Sequence, residues 1–290
     1  MTAGREPTVS VVIGSNAPPE RLAACLEALE PQRDGVEVLV HEGRPSPADL
    51  RERFPWADFA VAPAQLVPEH WRDGIDRASG EIVALTIAQM IPAADWIETI
   101  RDLGGRYEAF AGAIEPAHDL RLVDWAEYFC RYARDMPPFP ARESHDLPGD
   151  NAGYARTRLE TVRDVYRAGF WEPEVHRHLS ADGVVLWQAP ELVAALGRSA
   201  GFAAFVRQRI EHGRSHGRQS GARRGNVHNL ARVLISPLVP FVLTYRVTRL
   251  VFSKRRHGAR LVAALPLLFA YNLAWGLAEG LGYADQVRRN

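Results

Sequence analysis

Carboxylates and arginines are the side chains with which this sequence could do chemistry. Glu42 follows the apolar run Val36–Val40, and Glu172 and Glu174 bracket Pro173. A carboxylate accepts hydrogen bonds from hydroxyl and N–H donors, and it can take a proton from an attacking hydroxyl. Arg207, Arg209 and Arg214 sit in one short stretch, and paired guanidinium N–H groups hold phosphate oxygens. Each has a plainer reading. Glu42 is also a loop-tip acid in water, Glu172 an acid favoured by a helix dipole, and Arg72, which could likewise reach a phosphate, a surface arginine.

These groups need a scaffold, and the stretch Gly74–Ile97 is its centre. Ile82-Val83-Ala84-Leu85 is a short apolar run between Gly80 and Pro92, which suits a strand covered on both faces. The tip after it, Thr86 to Pro92, falls at the carboxyl end of a strand, where open α/β sheets present their chemistry. Hard divalent cations want carboxylate or carbonyl oxygen. Ile87 and Ala88 offer only backbone and Gln89 a neutral amide, so the usual acidic metal site is not expected.

The preceding chain reads as strand Thr8–Ile13, turn Gly14-Ser15-Asn16, and a helix Glu20–Leu29 opened by Pro18-Pro19. Strand Val36–Val40 follows, and this βαβ order predicts a parallel sheet. A weaker strand, Ala57–Ala62, precedes a helix over Glu69–Ser79. Ala93–Leu103 reads as a helix and Phe110–Ile114 as a strand. Val123–Ala133 is an aromatic helix whose spacing suggests packing.

The chain has 290 residues and 47% hydrophobic content, enough for one large α/β domain with an appendage. Cys25 and Cys130 make no disulfide framework and fit a reducing compartment. The N-terminus has no apolar leader pattern. Net charge is zero, yet 14 basic residues and one acid lie between Arg198 and Arg260. So one-sided a block implies an anionic surface as partner. Its stretch from Arg207 to Arg232 has no interleaved aromatics, which argues against nucleic acid.

Leu230–Phe252 and Leu261–Ala278 are apolar, each near the length that crosses a bilayer, about 20 residues. A two-span hairpin would place Lys254-Arg255-Arg256 across the membrane from the body, against the positive-inside tendency. Two helices lying in the interface, held by arginines on anionic headgroups, are therefore favoured. Spanning helices and a soluble helical pair, buried on the body or on a dimer mate, are the alternatives.

From about Thr8 to Gln219 the order of segments resembles the family 2 glycosyltransferases of the GT-A fold. The opening Val-Ser-Val-Val-Ile, the Cys25-Leu26 helix and Gly80, Pro92, Asp95 and Trp96 carry the likeness. So do Pro148-Gly149-Asp150-Asn151, the segment ending Leu179…Gly183, and Gln208 with Gly213. Where the family has Asp-x-Asp, this chain has Ile87 and Gln89. Where the family has Arg-Trp, it has Glu211 and His212.

The resemblance implies an α/β GT-A domain over residues 1–225, with a Rossmann-like, mostly parallel sheet flanked by helices. A helical, membrane-associated region over 226–290 would follow. It implies that Glu172 is the catalytic base, that Glu42, Gln89, Arg207, Arg209 and Arg214 face the donor, and that Asp150, Asn151 and Glu174 lie on the acceptor side. No cofactor or metal ligand is expected, arginines or a helix N-terminus standing in for the cation. The implied function is inverting hexosyl transfer from a nucleotide-diphosphate sugar to a lipid-linked or cell-envelope acceptor. It would take place at the cytoplasmic face of the cell membrane, with a homo-oligomer through the C-terminal helices as one option. A GT-A-like scaffold that has lost catalysis is the alternative.

Overall fold

The computed structural model describes residues 8–198 and 200–288. The chain divides into two compact units. One holds the residues up to Glu115 together with Asp135–Gly197, and the other holds Pro116–Arg134 and the chain from Arg198 onward.

The first unit begins with β1 (Val9–Ser15), α1 (Pro19–Leu29), β2 (Val36–Glu42), α2 (Ala48–Arg53), β3 (Ala57–Val61), α3 (Val67–Arg77) and β4 (Ile82–Ile87). After these come β5 (Met90–Pro92), α4 (Trp96–Gly104) and β6 (Ala109–Pro116). α5 (Leu122–Tyr132) belongs to the second unit, and the chain then returns with β7 (Arg142–Glu143) and β8 (Asn151–Ala155). α6 (Arg156–Thr161), α7 (Glu172–Ala181) and β9 (Leu186–Leu196) complete the first unit.

These strands form one sheet in the order β3-β2-β1-β4-β8-β6-β9-β5, with β7 beside β9. Its longest run, β3-β2-β1-β4, is parallel, as the strand–helix–strand order of the sequence requires. β8 pairs antiparallel with both β4 and β6. Every residue of β1 and β4 is buried, which explains their continuous apolar runs. Leu22, Cys25, Leu26 and Leu29 turn the face of α1 into the core. Each fully buried aliphatic of this kind contributes about 1.5–3 kcal/mol. Pro19 opens α1 and Pro173 opens α7, where a missing N–H costs nothing.

The second unit is helical: α5, α8 (Phe202–Ala222), α9 (Asn226–Ile235), α10 (Val239–Ser253) and α11 (Gly258–Val287). α8 crosses α11 at backbone distance. A Cβ on Gly217 would meet the Glu279 carbonyl oxygen at 2.3 Å and Gly282 Cα at 3.0 Å. The aromatic face of α5 packs inward, with Tyr128 and Phe129 fully buried. Asn226–Ser253 and Gly258–Val287, 28 and 30 residues long, are long and apolar enough to cross a membrane.

Candidate active site

The carboxyl ends of β1 and β4 are bridged by Trp71 of α3. Its indole N–H donates to the Thr86 carbonyl at 2.8 Å. The same ring lies 3.2 Å from where a Gly14 side chain would begin and 3.0 Å from where a Gly149 side chain would begin. A Cβ at 14 or 149 would crowd the ring, so glycine at both positions gives this buried plank room between the β1 end and the 147–150 loop. Phe170 meets Trp71 edge-on at 6.4 Å and Tyr154 at 5.4 Å, completing an aromatic floor.

Glu172 stands at the first position of α7, where the helix dipole favours a carboxylate. Its Oε1 lies 2.8 Å from an ideal Cβ on Gly149, so the carboxylate rests directly on that loop backbone. Asp150 is in the same loop and largely buried, and its carbonyl accepts the Thr86 hydroxyl at 2.9 Å. Glu172, Gly149, Asp150, Thr86 and Trp71 are thus brought together at one sheet edge. Glu174 turns off the other side of α7, two residues on, and pairs with Arg177 at 2.6 Å.

Asn151 is fully buried. Its side-chain oxygen accepts Trp96 Nε1–H at 2.7 Å, and its amide nitrogen donates to the Ala113 and Leu192 carbonyls at 2.9 and 3.0 Å. It pins β8 between α4, β6 and β9. Gln89 is half-buried between β4 and β5, its carbonyl accepting Gly197 N–H at 2.8 Å.

Glu42 is buried rather than a loop-tip acid in water. It accepts Ser46 N–H at 2.9 Å and the Ser46 hydroxyl at 2.5 Å, and it pairs with Arg51 at 2.5 Å. Nearby, Asn16 donates to the Gln65 carbonyl at 2.9 Å, and His70 Nε2 lies 3.4 Å from Asn16 Oδ1. His41 and His70 are buried, with His41 Nε2 and His70 Nδ1 unpaired among the described residues. Burial lowers both imidazole pKa values, and Arg77 adds to the effect at His41. Arg72 is partly buried, bonded to Asp73 and to the Arg167 carbonyl.

The three arginines of α8 belong to the helical unit. Arg207 is exposed. Arg209 stacks over Trp275, 4.2 Å from the ring centroid. Arg214 pairs with Asp285 at 3.0 Å.

Sequence reasoning passed over Trp71, although Pro68, Trp71 and Ile75 at helical spacing mark the inward face of α3. It also passed over His41, His70 and His176, for which no local signal separates a site residue from a core one.

No family model matches the sequence, and no curated protein does. Among solved structures, the chain is similar to a mannosyltransferase from Pyrobaculum calidifontis, PcManGT, in complex with GDP-Man and Mn2+. The TM-score is 0.52 at 16% identity, over 98% of this chain and 88% of that one. It is also similar to GalNAc-T7 with UDP, GalNAc and Mn2+, with a TM-score of 0.51 at 12% identity. That match takes in 67% of this chain and spans less than half, 44%, of the other.

A divalent ion of the kind bound in both does not suit the β4 tip here. Ile87 and Ala88 are buried and apolar, the Thr86 hydroxyl is bonded to Asp150, and the Gln89 carbonyl is taken by Gly197. Among the described residues no group of three or more His, Cys, Asp and Glu side chains is placed to hold a metal. In architecture the chain is an α/β protein of the GT-A fold, the fold of both these glycosyltransferases.

Proposed function

We propose that this protein is an inverting glycosyltransferase, moving a sugar from a nucleotide-diphosphate donor to a lipid-linked or cell-envelope acceptor. The observation that supports it best is Glu172 resting on Gly149 above the Trp71 floor, at the strand ends of a GT-A sheet. One base suffices for inversion, because the leaving group is already a phosphate. Glu172 would take the proton as the acceptor hydroxyl attacks the anomeric carbon. Asp150 and the loop backbone would line the acceptor side, with Asn151 holding that loop's strand in place. Glu42, Gln89 and the α8 arginines are proposed for the donor. Of the arginines, Arg207 is the one engaged neither by a ring nor by an acid among the described residues. No step is assigned to a metal ion.

Attachment to a membrane is part of the proposal. Leu230, Leu234, Leu238, Phe241 and Tyr245 recur at helical spacing along α9–α10 and are all exposed, Leu234 at 73%. So much contiguous apolar surface is unusual on a soluble protein. Arg246 and Arg249 stand exposed on the same helix, which suits an anionic bilayer. The cytoplasmic face follows from where nucleotide sugars are made.

Binding tests the reading. The full chain is titrated with GDP-mannose and UDP sugars, with and without EDTA, and thermal stabilisation is followed. Stabilisation that survives chelator supports a metal-independent donor site. Absence of any response favours the alternative, a GT-A scaffold at the membrane.

A further inference from the structure

We infer that His176 is a positioning residue for this transfer, tying the 146–150 loop to the helix that carries Glu172. The inference rests on the transferase reading above. His176 is fully buried in α7, four residues after Glu172 and so on the same helix face. Its Nδ1 lies 2.6 Å from Asp146 Oδ1, and its Nε2 lies 2.8 Å from the Tyr154 hydroxyl.

The partners assign the tautomer. The carboxylate accepts from Nδ1–H, and the Tyr154 O–H donates to Nε2. Burial holds the Tyr154 pKa well above its ordinary range, with the charges of Glu172 and Asp146 adding to it, so the phenol stays a donor. Both ring nitrogens are engaged, and the ring lies nearly parallel to Tyr154, at 23°. An imidazole fixed this way cannot rotate without breaking a buried bond.

This ring reaches the loop at its start. Asp146 accepts from Nδ1–H, and Leu147 N, 3.3 Å from the same nitrogen, is a close neighbour and no second bond, since Nδ1 carries the proton. The far end of the loop is fixed by the Thr86 hydroxyl on the Asp150 carbonyl. Between these anchors lies Gly149, the residue on which the Glu172 carboxylate rests. α7 therefore touches one loop twice, with His176 at its root and Glu172 at its middle. Releasing the root shifts the surface beneath the base without touching either substrate. A histidine that only fills the core would affect stability and leave turnover per folded molecule unchanged.

Two substitutions separate these roles in the full-length chain. In His176→Asn the amide stands near Nδ1 and keeps the loop bond. In His176→Gln it reaches toward Nε2, keeping Tyr154 and losing the loop. Two readouts are taken: hydrogen–deuterium exchange of residues 146–150, and nucleotide release from GDP-mannose and UDP-N-acetylgalactosamine. His176→Gln is expected to exchange faster in the loop and to lose kcat about 10- to 100-fold, with the donor KM unchanged. His176→Asn is expected to stay near wild type in both. Equal losses in the two variants, tracking their melting temperatures, would overturn the inference, as would wild-type kcat in His176→Gln. A wild-type chain that turns over neither donor removes the transferase reading and this inference with it. An active wild type with an unaffected His176→Gln removes the inference alone.

Discussion

The Glu172 carboxylate lies against the backbone of Gly149, close enough that a Cβ there would meet its Oε1 at 2.8 Å. Gly149→Ala must therefore displace the carboxylate or the loop. We expect nucleotide-sugar turnover to fall about 10- to 100-fold, the scale of an ångström-level misplacement. The same change made on top of Glu172→Gln should add little, since both act through one group. Steady-state kinetics of the double-mutant cycle checks this, and additive losses would count against it.

Trp71 holds the floor of that site through one hydrogen bond to the Thr86 carbonyl. Trp71→Phe keeps an aromatic ring but leaves a buried carbonyl without its donor. The expected cost is about 1–3 kcal/mol, read as a lower urea midpoint with an unchanged slope.

Much of this scaffold was legible in the sequence, for physical reasons. The runs at β1, β2 and β4 are continuous because both faces of those strands are covered, and Pro173 marks the start of α7 and so the place of Glu172. The strand β8 was not legible. Asn151-Ala152-Gly153-Tyr154-Ala155 is small and mixed, and its burial depends on Phe110, whose ring would meet a Gly153 side chain at 2.4 Å. Asn151 is named by the resemblance, but its role as a buried pin depends on Trp96, Ala113 and Leu192, 38 to 55 residues away. The Asp146–His176–Tyr154 chain spans contacts of the same kind. A histidine in sequence gives no sign of which acid it will meet.

Stability should fall in mild acid. His41 and His70 are held neutral by burial, with pKa values below the ordinary 6.5. As pH drops through that value the unfolded chain takes up protons that the folded chain refuses. Unfolding then binds protons, and stability decreases until the lowered folded pKa values are passed. Melting temperatures measured from about pH 7.5 to about pH 5 should decline, and His70→Gln should flatten the decline. An identical slope in that variant would remove His70 from the explanation.

Membrane attachment can be separated from folding. Leu234 and Phe241 are 73% and 61% exposed, so charging them disturbs little of the core. Leu234→Glu with Phe241→Glu should abolish flotation with anionic vesicles while the melting temperature holds within a few degrees, about the effect of 1 kcal/mol or less. Undiminished flotation would place the lipid contact elsewhere.

The proposed transfer has Glu172 as its base and needs no bound cation. Its most direct measurement is nucleotide release from a donor panel, GDP-mannose and UDP sugars, by wild type and Glu172→Gln in EDTA. Turnover by the wild type in chelator is expected, with a loss of about 100-fold or more in the variant, the contribution of a general base, and donor binding retained. Full activity in Glu172→Gln, or wild-type turnover that appears only when Mn2+ is added, would contradict it.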